Sequence, residues 1–370
     1  MLKFCPKFFV SSIVVFTFIT GCYAKRHKID FKATSPQKSI AKENPKIVPQ
    51  QTTEFPCWPT ANQAFFNNEP LEKYIQPTAS GHVISGTYGC VRNNGRRFHE
   101  GIDIKSIQRN RRNIPQDKVF AVLSGTIVYI NRKPGLSSYG QYIVLEHTDK
   151  NLHFYTLYAH LANIEKNLTI NQSVKQHQQL GQMGNTACFR IPLYQAHLHF
   201  EIGLKLGNKA SFAQWYASQK FPTSNKHGQW NGLNLTGLNP LNFFKSKQNF
   251  TEFLKNQPIA FTLVFATPKT PDFILRNPAL LTTPLPKNKI YGWEIAFNWV
   301  GAPLQWIPIT QPLKQKISLK SYDKNELTRL GNRHTLDFDR KGYPFIGTTL
   351  QRQLFELFSE KFSFKDSKNR

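Results

Sequence analysis

The segment His197–Ile202 (HLHFEI) constrains the fold of this chain more than any other. On a strand, alternate side chains face opposite ways. His197, His199 and Glu201 then share one face, and Leu198, Phe200 and Ile202 share the other. The apolar set can pack into a core while the imidazole pair lines a groove. Two histidines at i and i+2 stand about 7 Å apart at their Cα atoms, a spacing that suits one metal ligand beside one acid–base group. The surrounding chain agrees with a sheet. Residues 119–130, 141–147 and 153–160 are rich in β-branched and aromatic residues, and Gly125, Gly135, Gly140 and Gly184 punctuate them. No long amphipathic helix interrupts, so a β-rich domain built on an antiparallel sheet is expected.

Two further motifs bring chemistry to the same region. RFHEGIDI carries His99 and Asp103, with Asp103 alternating against Ile102 and Ile104 so that its carboxylate points away from the apolar face. Gly101 permits a turn that brings His99 to the same place. YTLYAHL sets His160 at the end of another strand. Taken singly, each has an ordinary structural reading: half-buried histidines for the H-x-H pair, a turn or salt bridge for Asp103. Jointly they offer two imidazoles and a carboxylate for a metal, with two imidazoles to spare. Catalytic zinc takes three protein ligands and keeps one position open. Spare histidines can move protons and hold a developing oxyanion. His82, His147, His153, His177, His227 and His334 have no ligand-like partner at fixed spacing and read as structural or solvated.

The formal net charge of +26 calls for a polyanionic neighbour. The N-terminus narrows the choice. Residues 1–21 read as a signal peptide, with Lys3 and Lys7 ahead of an apolar run from Phe8 to Ile19. The run ends in Ile19-Thr20-Gly21-Cys22, which resembles the lipobox of bacterial lipoprotein signals and makes Cys22 the expected lipidation site. Export removes nucleic acid as a partner. Residues 22–54, rich in Lys, Gln, Ser, Thr and Pro, read as a disordered tether that at full extension spans on the order of 100 Å. Among Cys57, Cys90 and Cys188 at most one disulfide can form, and no spacing resembles a cysteine-based zinc site.

The order H-x-x-x-D, then Tyr-Ala-His-Leu, then His-Leu-His-Phe-Glu resembles the lysostaphin/LytM-type zinc endopeptidases. The flanks GTYGCVR, SYGQYIVLEH and LGQMGNT agree, as does LNPLNFF near residue 240. The resemblance spans roughly residues 81–204. It implies one Zn2+ per chain held by His99, Asp103 and His199, with His160 and His197 activating water and stabilising the tetrahedral intermediate. It also implies a compact antiparallel β domain with a narrow groove across the sheet, here bounded at 55–246. Three segments depart from the family pattern: the basic loop 105–118, the glycine-poor ACFRIPLYQA after GNT, and an insertion over 205–236. Each can wall the groove, so they bear on substrate more than on catalysis.

Residues 247–370 fall outside the resemblance and read as a small α+β accessory domain of unknown role, open to a protein partner. GWEIAFNWVGAPLQWIPIT suggests two strands about a Gly-Ala-Pro turn, with Trp293, Trp299 and Trp306 more apt for a core than for stacking on sugars. Leu350, Leu354, Leu357 and Phe358 mark a helix, with Thr348-x-x-Gln351 as a capping box. The whole chain is therefore expected to be mainly β. Its expected activity is that of a peptidoglycan endopeptidase, lipid-anchored at the outer membrane and facing the periplasm. Two other readings stand beside it: a silent lipoprotein that activates cell-wall amidases, and a basic binding module with a structural zinc. The intact ligand set disfavours the first, and the lack of a fourth ligand disfavours the second.

Overall fold

The computed structural model describes residues 55–363. The expected signal segment 1–21, Cys22 and the tether 22–54 lie outside those residues. A short hairpin comes first, β1 (Gly89–Arg92) and β2 (Arg97–His99). Nine strands then form one antiparallel sheet: β3 (Ile102–Lys105), β4 (Lys118–Phe120), β5 (Gly125–Asn131), β6 (Gln141–Asp149), β7 (Leu152–Ile164), β8 (Ser173–Val174), β9 (Gln179–Met183), β10 (His197–Lys205) and β11 (Leu235–Leu238). The main path runs β11-β10-β7-β6-β5-β8, while β3 pairs with β10 and β9 joins β4 to β7. The mainly β architecture holds, but the expected strand over 119–130 is broken at 121–124 into β4 and β5.

Strand β10 is the keel. Leu198, Phe200 and Ile202 turn into the main core with Ile102 and Ile104 from β3. A smaller cluster of Tyr142, Val144, Tyr155, Leu157 and Ala159 lies on the opposite face and is capped by Trp230 and Leu235. The sheet is thus covered on both sides around its centre, and polar groups there must find partners within the protein. Gly101 lets β2 and β3 meet β10 closely: a Cβ at that position would lie 2.1 Å from the Phe200 carbonyl oxygen.

The insertion after β10 forms α1 (Lys209–Ser218), whose N-cap Asn208 accepts from the Ala210 and Ser211 amides. Helices α2 (Pro240–Ser246) and α3 (Phe250–Lys255) follow, capped by Asn239 and Asn249. The C-terminal part is a second antiparallel sheet in the order β14-β13-β12-β15. Its strands are β12 (Phe261–Phe265), β13 (Gly292–Phe297), β14 (Pro303–Ile309) and β15 (Ile317–Tyr322). It also carries α4 (Asp272–Arg276), α5 (Lys324–Thr328), the hairpin β16 (Leu336–Phe338) with β17 (Pro344–Ile346), and α6 (Thr348–Phe358). Trp293 and Trp306 are fully buried, as their alternation indicated. The N-terminus of α6 differs from expectation. Gly347, not Thr348, is the N-cap, and no side chain caps it. A side chain at 347 would strike the His334 carbonyl oxygen, while Gln351 Nε2 still reaches back to the Ile346 carbonyl.

One hydrophobic core runs through both sheets. Its most telling contacts fall on the β1–β2 hairpin. The Cys90 amide donates to the Leu330 carbonyl at 2.9 Å, Phe98 and Tyr88 pack edge-on against Trp299, and the Arg333 guanidinium lies 3.8 Å over the Phe98 ring. The hairpin that ends at His99 is therefore braced by the C-terminal sheet. No helix among the described residues is long and apolar enough to cross a membrane.

Candidate metal centre

Register assembles the centre. In the β3–β10 pairing Asp103 stands directly opposite His199, and in the β7–β10 pairing Ala159 does. Directly opposed residues share a face, so strict alternation would turn the next residue, His160, toward the other one. The chain avoids this with a left-handed backbone at His160, φ 60°, an uncommon conformation for a residue with a side chain. The His160 ring thereby comes within 4.8 Å of His197 and 5.9 Å of His199, centre to centre. His160 is not at a strand end, as its sequence suggested, but inside β7 at this kink.

Three donor atoms converge. His99 Nε2 lies 3.0 Å from His199 Nδ1, and each lies 3.1 Å from Asp103 Oδ1. Tetrahedral nitrogen and oxygen ligands at about 2.0–2.1 Å from zinc stand roughly 3.3 Å apart. The triangle is within a few tenths of an ångström of that spacing, and the donors present fit a zinc ion. Tautomers agree as well. His99 Nδ1 donates to the Thr87 carbonyl at 2.7 Å, leaving the Nε2 lone pair for a metal. His199 Nε2 donates to Glu201 Oε1 at 2.8 Å, so Nδ1 is the nitrogen that faces an ion once its own proton has left. Outer partners of this kind fix ring orientation and ligand basicity.

The remaining two histidines are held in the same way. His160 Nδ1 donates to the Thr186 carbonyl at 2.8 Å and His197 Nδ1 to the Gln195 carbonyl at 2.7 Å. His197 Nε2 comes to 3.5 Å from Asp103 Oδ1. All five side chains expected from the sequence, His99, Asp103, His160, His197 and His199, thus meet on one face of the sheet.

Electrostatics separates their protonation states. Burial alone would push the Asp103 carboxyl up, but His99, Arg92 and His197 hold it well below the usual carboxylate range. Burial lowers His99 and His197. Burial, with His197 and His199 alongside, holds His160 well below an ordinary histidine. His199 goes the other way: burial opposes its charge, yet Asp103 and Glu201 on either side raise it to about 9. Arg92 Nη2 donates to Asp103 Oδ2 and lies 2.8 Å from His99 Nε2. That guanidinium must step back from the His99 lone pair when an ion binds.

Glu201 shares the histidine face, as alternation required, but its task is not legible from alternation. It is fully buried and accepts three hydrogen bonds: from His199 Nε2, from the Tyr139 hydroxyl at 2.6 Å and from the Tyr155 hydroxyl at 2.7 Å. Burial and the Glu201 charge raise both tyrosines well above their ordinary values, so they remain donors. Arg92, Tyr139 and Tyr155 lie within the quoted stretches GTYGCVR, SYGQYIVLEH and YTLYAHL, yet nothing there assigned them a role. The available signal was a carboxylate on a buried strand face, which must find donors.

Above the donors lies a groove of about 520 Å3 whose lining includes Arg97, Tyr139, His160, His199 and, from the 205–236 insertion, Tyr216 and Lys226. The insertion does form a wall. The basic loop 105–118 acts from below, where Arg109 donates to the Leu193 and Ala196 carbonyls and so anchors the approach to β10. His147 is buried between the Ser124 carbonyl and the Thr156 hydroxyl, a structural role.

The groove over the antiparallel sheet is thus floored by a His–Asp–His donor triangle that can hold a metal ion, with two imidazoles flanking it. Residues 97–211 match the model of Peptidase family M23. Among solved structures the chain is similar to a zinc-containing peptidase from Vibrio cholerae, with 24% identity, 35% of each chain covered and a TM-score of 0.25. It is also similar to the catalytic domain of lysostaphin from Staphylococcus simulans, with 20% identity, 47% of this chain and 95% of that one covered, and a TM-score of 0.27. A third is Csd3 from Helicobacter pylori, with 18% identity, 46% of this chain and 34% of that one covered, and a TM-score of 0.27. A search of the curated proteins finds no match.

Proposed function

We propose that the chain is a zinc-dependent endopeptidase that hydrolyses peptide bonds in the cross-links or stem peptides of peptidoglycan. The observation that carries this reading is the set of three donor atoms 3.0–3.1 Å apart, each freed by a hydrogen bond to its other polar atom or ring nitrogen. A zinc ion bound by His99, Asp103 and His199 would supply a Lewis acid that brings the pKa of water toward neutrality and polarises the scissile carbonyl.

The other steps belong to this chain's own groups. With its Nδ1 proton donated to Thr186, His160 offers the Nε2 lone pair to the groove, and its weak hold on a second proton keeps that lone pair free at neutral pH. It can accept a proton from the attacking water and pass it to the leaving amine. His197, oriented by Gln195, stands across from it and can donate to the developing oxyanion once charged. Tyr139 and Glu201 hold the His199 ring in place from behind.

The placement of the enzyme is part of the same proposal. The signal-like residues 1–21 ending at Gly21-Cys22 favour export and lipid attachment at Cys22, with the head at the outer membrane facing the periplasm. The surplus of basic residues suits an anionic wall polymer. Labelling of the protein by a fatty-acid probe, lost in Cys22→Ala, tests the anchor. Digestion of purified peptidoglycan with zinc, read by mass spectrometry, tests the activity. New peptide ends are expected with the natural chain and none with His199→Ala; equal digestion by both would refute the assignment.

A further inference from the structure

Beside the groove lies a second cavity of about 750 Å3. Glu100, Gly232 and Leu233 line both, so the two spaces adjoin one residue from His99. The far wall belongs to the C-terminal part and is basic: Arg333 from the segment before β16, Arg352 from α6, and Lys361 beyond it. Thr348 and Thr349 add the first turn of α6, an end of the helix that favours negative charge.

The two arginines hold unspent donors. Arg333 lies flat on Phe98, which fixes the plane of its guanidinium. Its Nη2 is 3.9 Å from Glu100 Oε1, beyond a hydrogen bond, and its Nε is buried with no hydrogen-bond partner. Arg352 Nη1 is likewise buried without a hydrogen bond, 3.6 Å from Glu356 Oε1. Glu356 gives little compensation. Neither of its oxygens accepts a hydrogen bond, and burial pushes its carboxyl up to about 8, so it is mostly uncharged at neutral pH. Burial disfavours the charge on Arg333, the Glu100 carboxylate offsets part of that, and the charge of Arg352 nearby adds to it. Both residues line the cavity, and a largely desolvated guanidinium short of acceptors favours an anion beside it. A planar carboxylate matches the guanidinium fork, and Arg is the residue that recognises it in this way.

We propose that this cavity is a substrate subsite in which Arg333 and Arg352 bind a carboxylate of the peptide, at a position remote from the scissile bond. The C-terminal part is then a specificity element of the enzyme. The subsite rests on the peptidase reading for the identity of its ligand, but not for its existence. Peptidoglycan stem peptides carry side-chain and terminal carboxylates, and the subsite selects peptides in which one of these is free.

The test uses a stem tetrapeptide with its carboxylates free and the same peptide with every carboxylate amidated. Binding of both is measured by calorimetry to the zinc-loaded full chain carrying His160→Ala, which suppresses turnover. The free acid should bind about tenfold more tightly or better than the amide, the scale of a charged hydrogen-bonded contact. Adding Arg352→Gln or Arg333→Gln should abolish that preference while leaving amide binding unchanged. Should Arg333→Gln melt early through its lost contact with Phe98, Arg352→Gln carries the comparison alone. Equal binding of acid and amide to the parent, or a preference that survives Arg352→Gln, overturns the subsite. Cleavage by the natural chain is scored separately. Cleavage without acid preference removes the subsite and keeps the peptidase; acid preference without cleavage removes the peptidase and keeps the carboxylate site.

Discussion

Glu201→Gln is the most informative single change, because it alters charge without altering shape beneath the metal centre. Glu201 receives His199 Nε2 and the Tyr139 hydroxyl on Oε1 and the Tyr155 hydroxyl on Oε2. A glutamine can keep its carbonyl oxygen toward the first two, but its amide then faces the Tyr155 hydroxyl and leaves that buried proton without an acceptor. Such a stranded donor costs about 1–3 kcal/mol. The lost negative charge weakens the hydrogen bond that supports His199 as a ligand, and changes in outer-shell partners typically cost about 10–100-fold in metal affinity. Zinc affinity measured by competition with a chromophoric chelator should therefore fall by about that factor, and kcat/KM with it. Adding Tyr155→Phe to Glu201→Gln removes the stranded proton and should recover about 1 kcal/mol, whereas Tyr155→Phe in the natural chain should cost roughly as much. Undiminished zinc affinity in Glu201→Gln, or simple additivity in the double variant, would refute the reasoning.

Other expectations follow from separate parts of the structure. His160→Ala should retain stoichiometric zinc yet lose about 10²–10⁴ in kcat, while His199→Ala should lose both; metal analysis after gel filtration alongside peptidoglycan turnover checks the pair. Glu356, with a folded pKa of about 8 against an ordinary 4.5, favours the fold most fully below pH 4.5 and loses that contribution as the pH rises through about 8. The total is on the order of 5 kcal/mol. Glu356→Gln should therefore flatten the decline in urea stability between pH 5 and 8, and unchanged slopes would argue against the assignment. Gly101→Ala should drive a methyl group into the Phe200 carbonyl and separate β2 and β3 from β10. A loss of about 2 kcal/mol or more, of the size seen for overpacking, together with weakened zinc binding, is the expected result, and a calorimetric melt will show it.

The parts of the site legible in the sequence are those governed by local periodicity. Period-two alternation put His197, His199 and Glu201 on one face, and the β3–β10 register brought Asp103 opposite His199. The apolar spacing of Leu350, Leu354 and Leu357 marked α6. What escaped was set by contacts far apart along the chain. His160 reaches the correct face only through a backbone twist that no residue type announces. Tyr139 meets Glu201 across 62 positions, so neither residue alone suggests the pair. The glycine cap of α6 exists because the His334 carbonyl passes close by, which helix preferences cannot foresee. The likeness to the metallopeptidases likewise ends before the C-terminal sheet, whose arginines at the second cavity have no motif to mark them.

The bracing of the β1–β2 hairpin couples the chemistry to the completeness of the polypeptide. Cys90, close in sequence to His99, bonds through Sγ to the Asn332 carbonyl, a partner 242 positions later. A chain interrupted before that segment would present His99 on an unsupported hairpin. Synthesis proceeds from the N-terminus, so the donor set would be held in register only after nearly the whole protein has emerged. Fragments and stalled products would then lack a braced donor set, and proteolysis near the C-terminus would loosen that set from the other end of the chain.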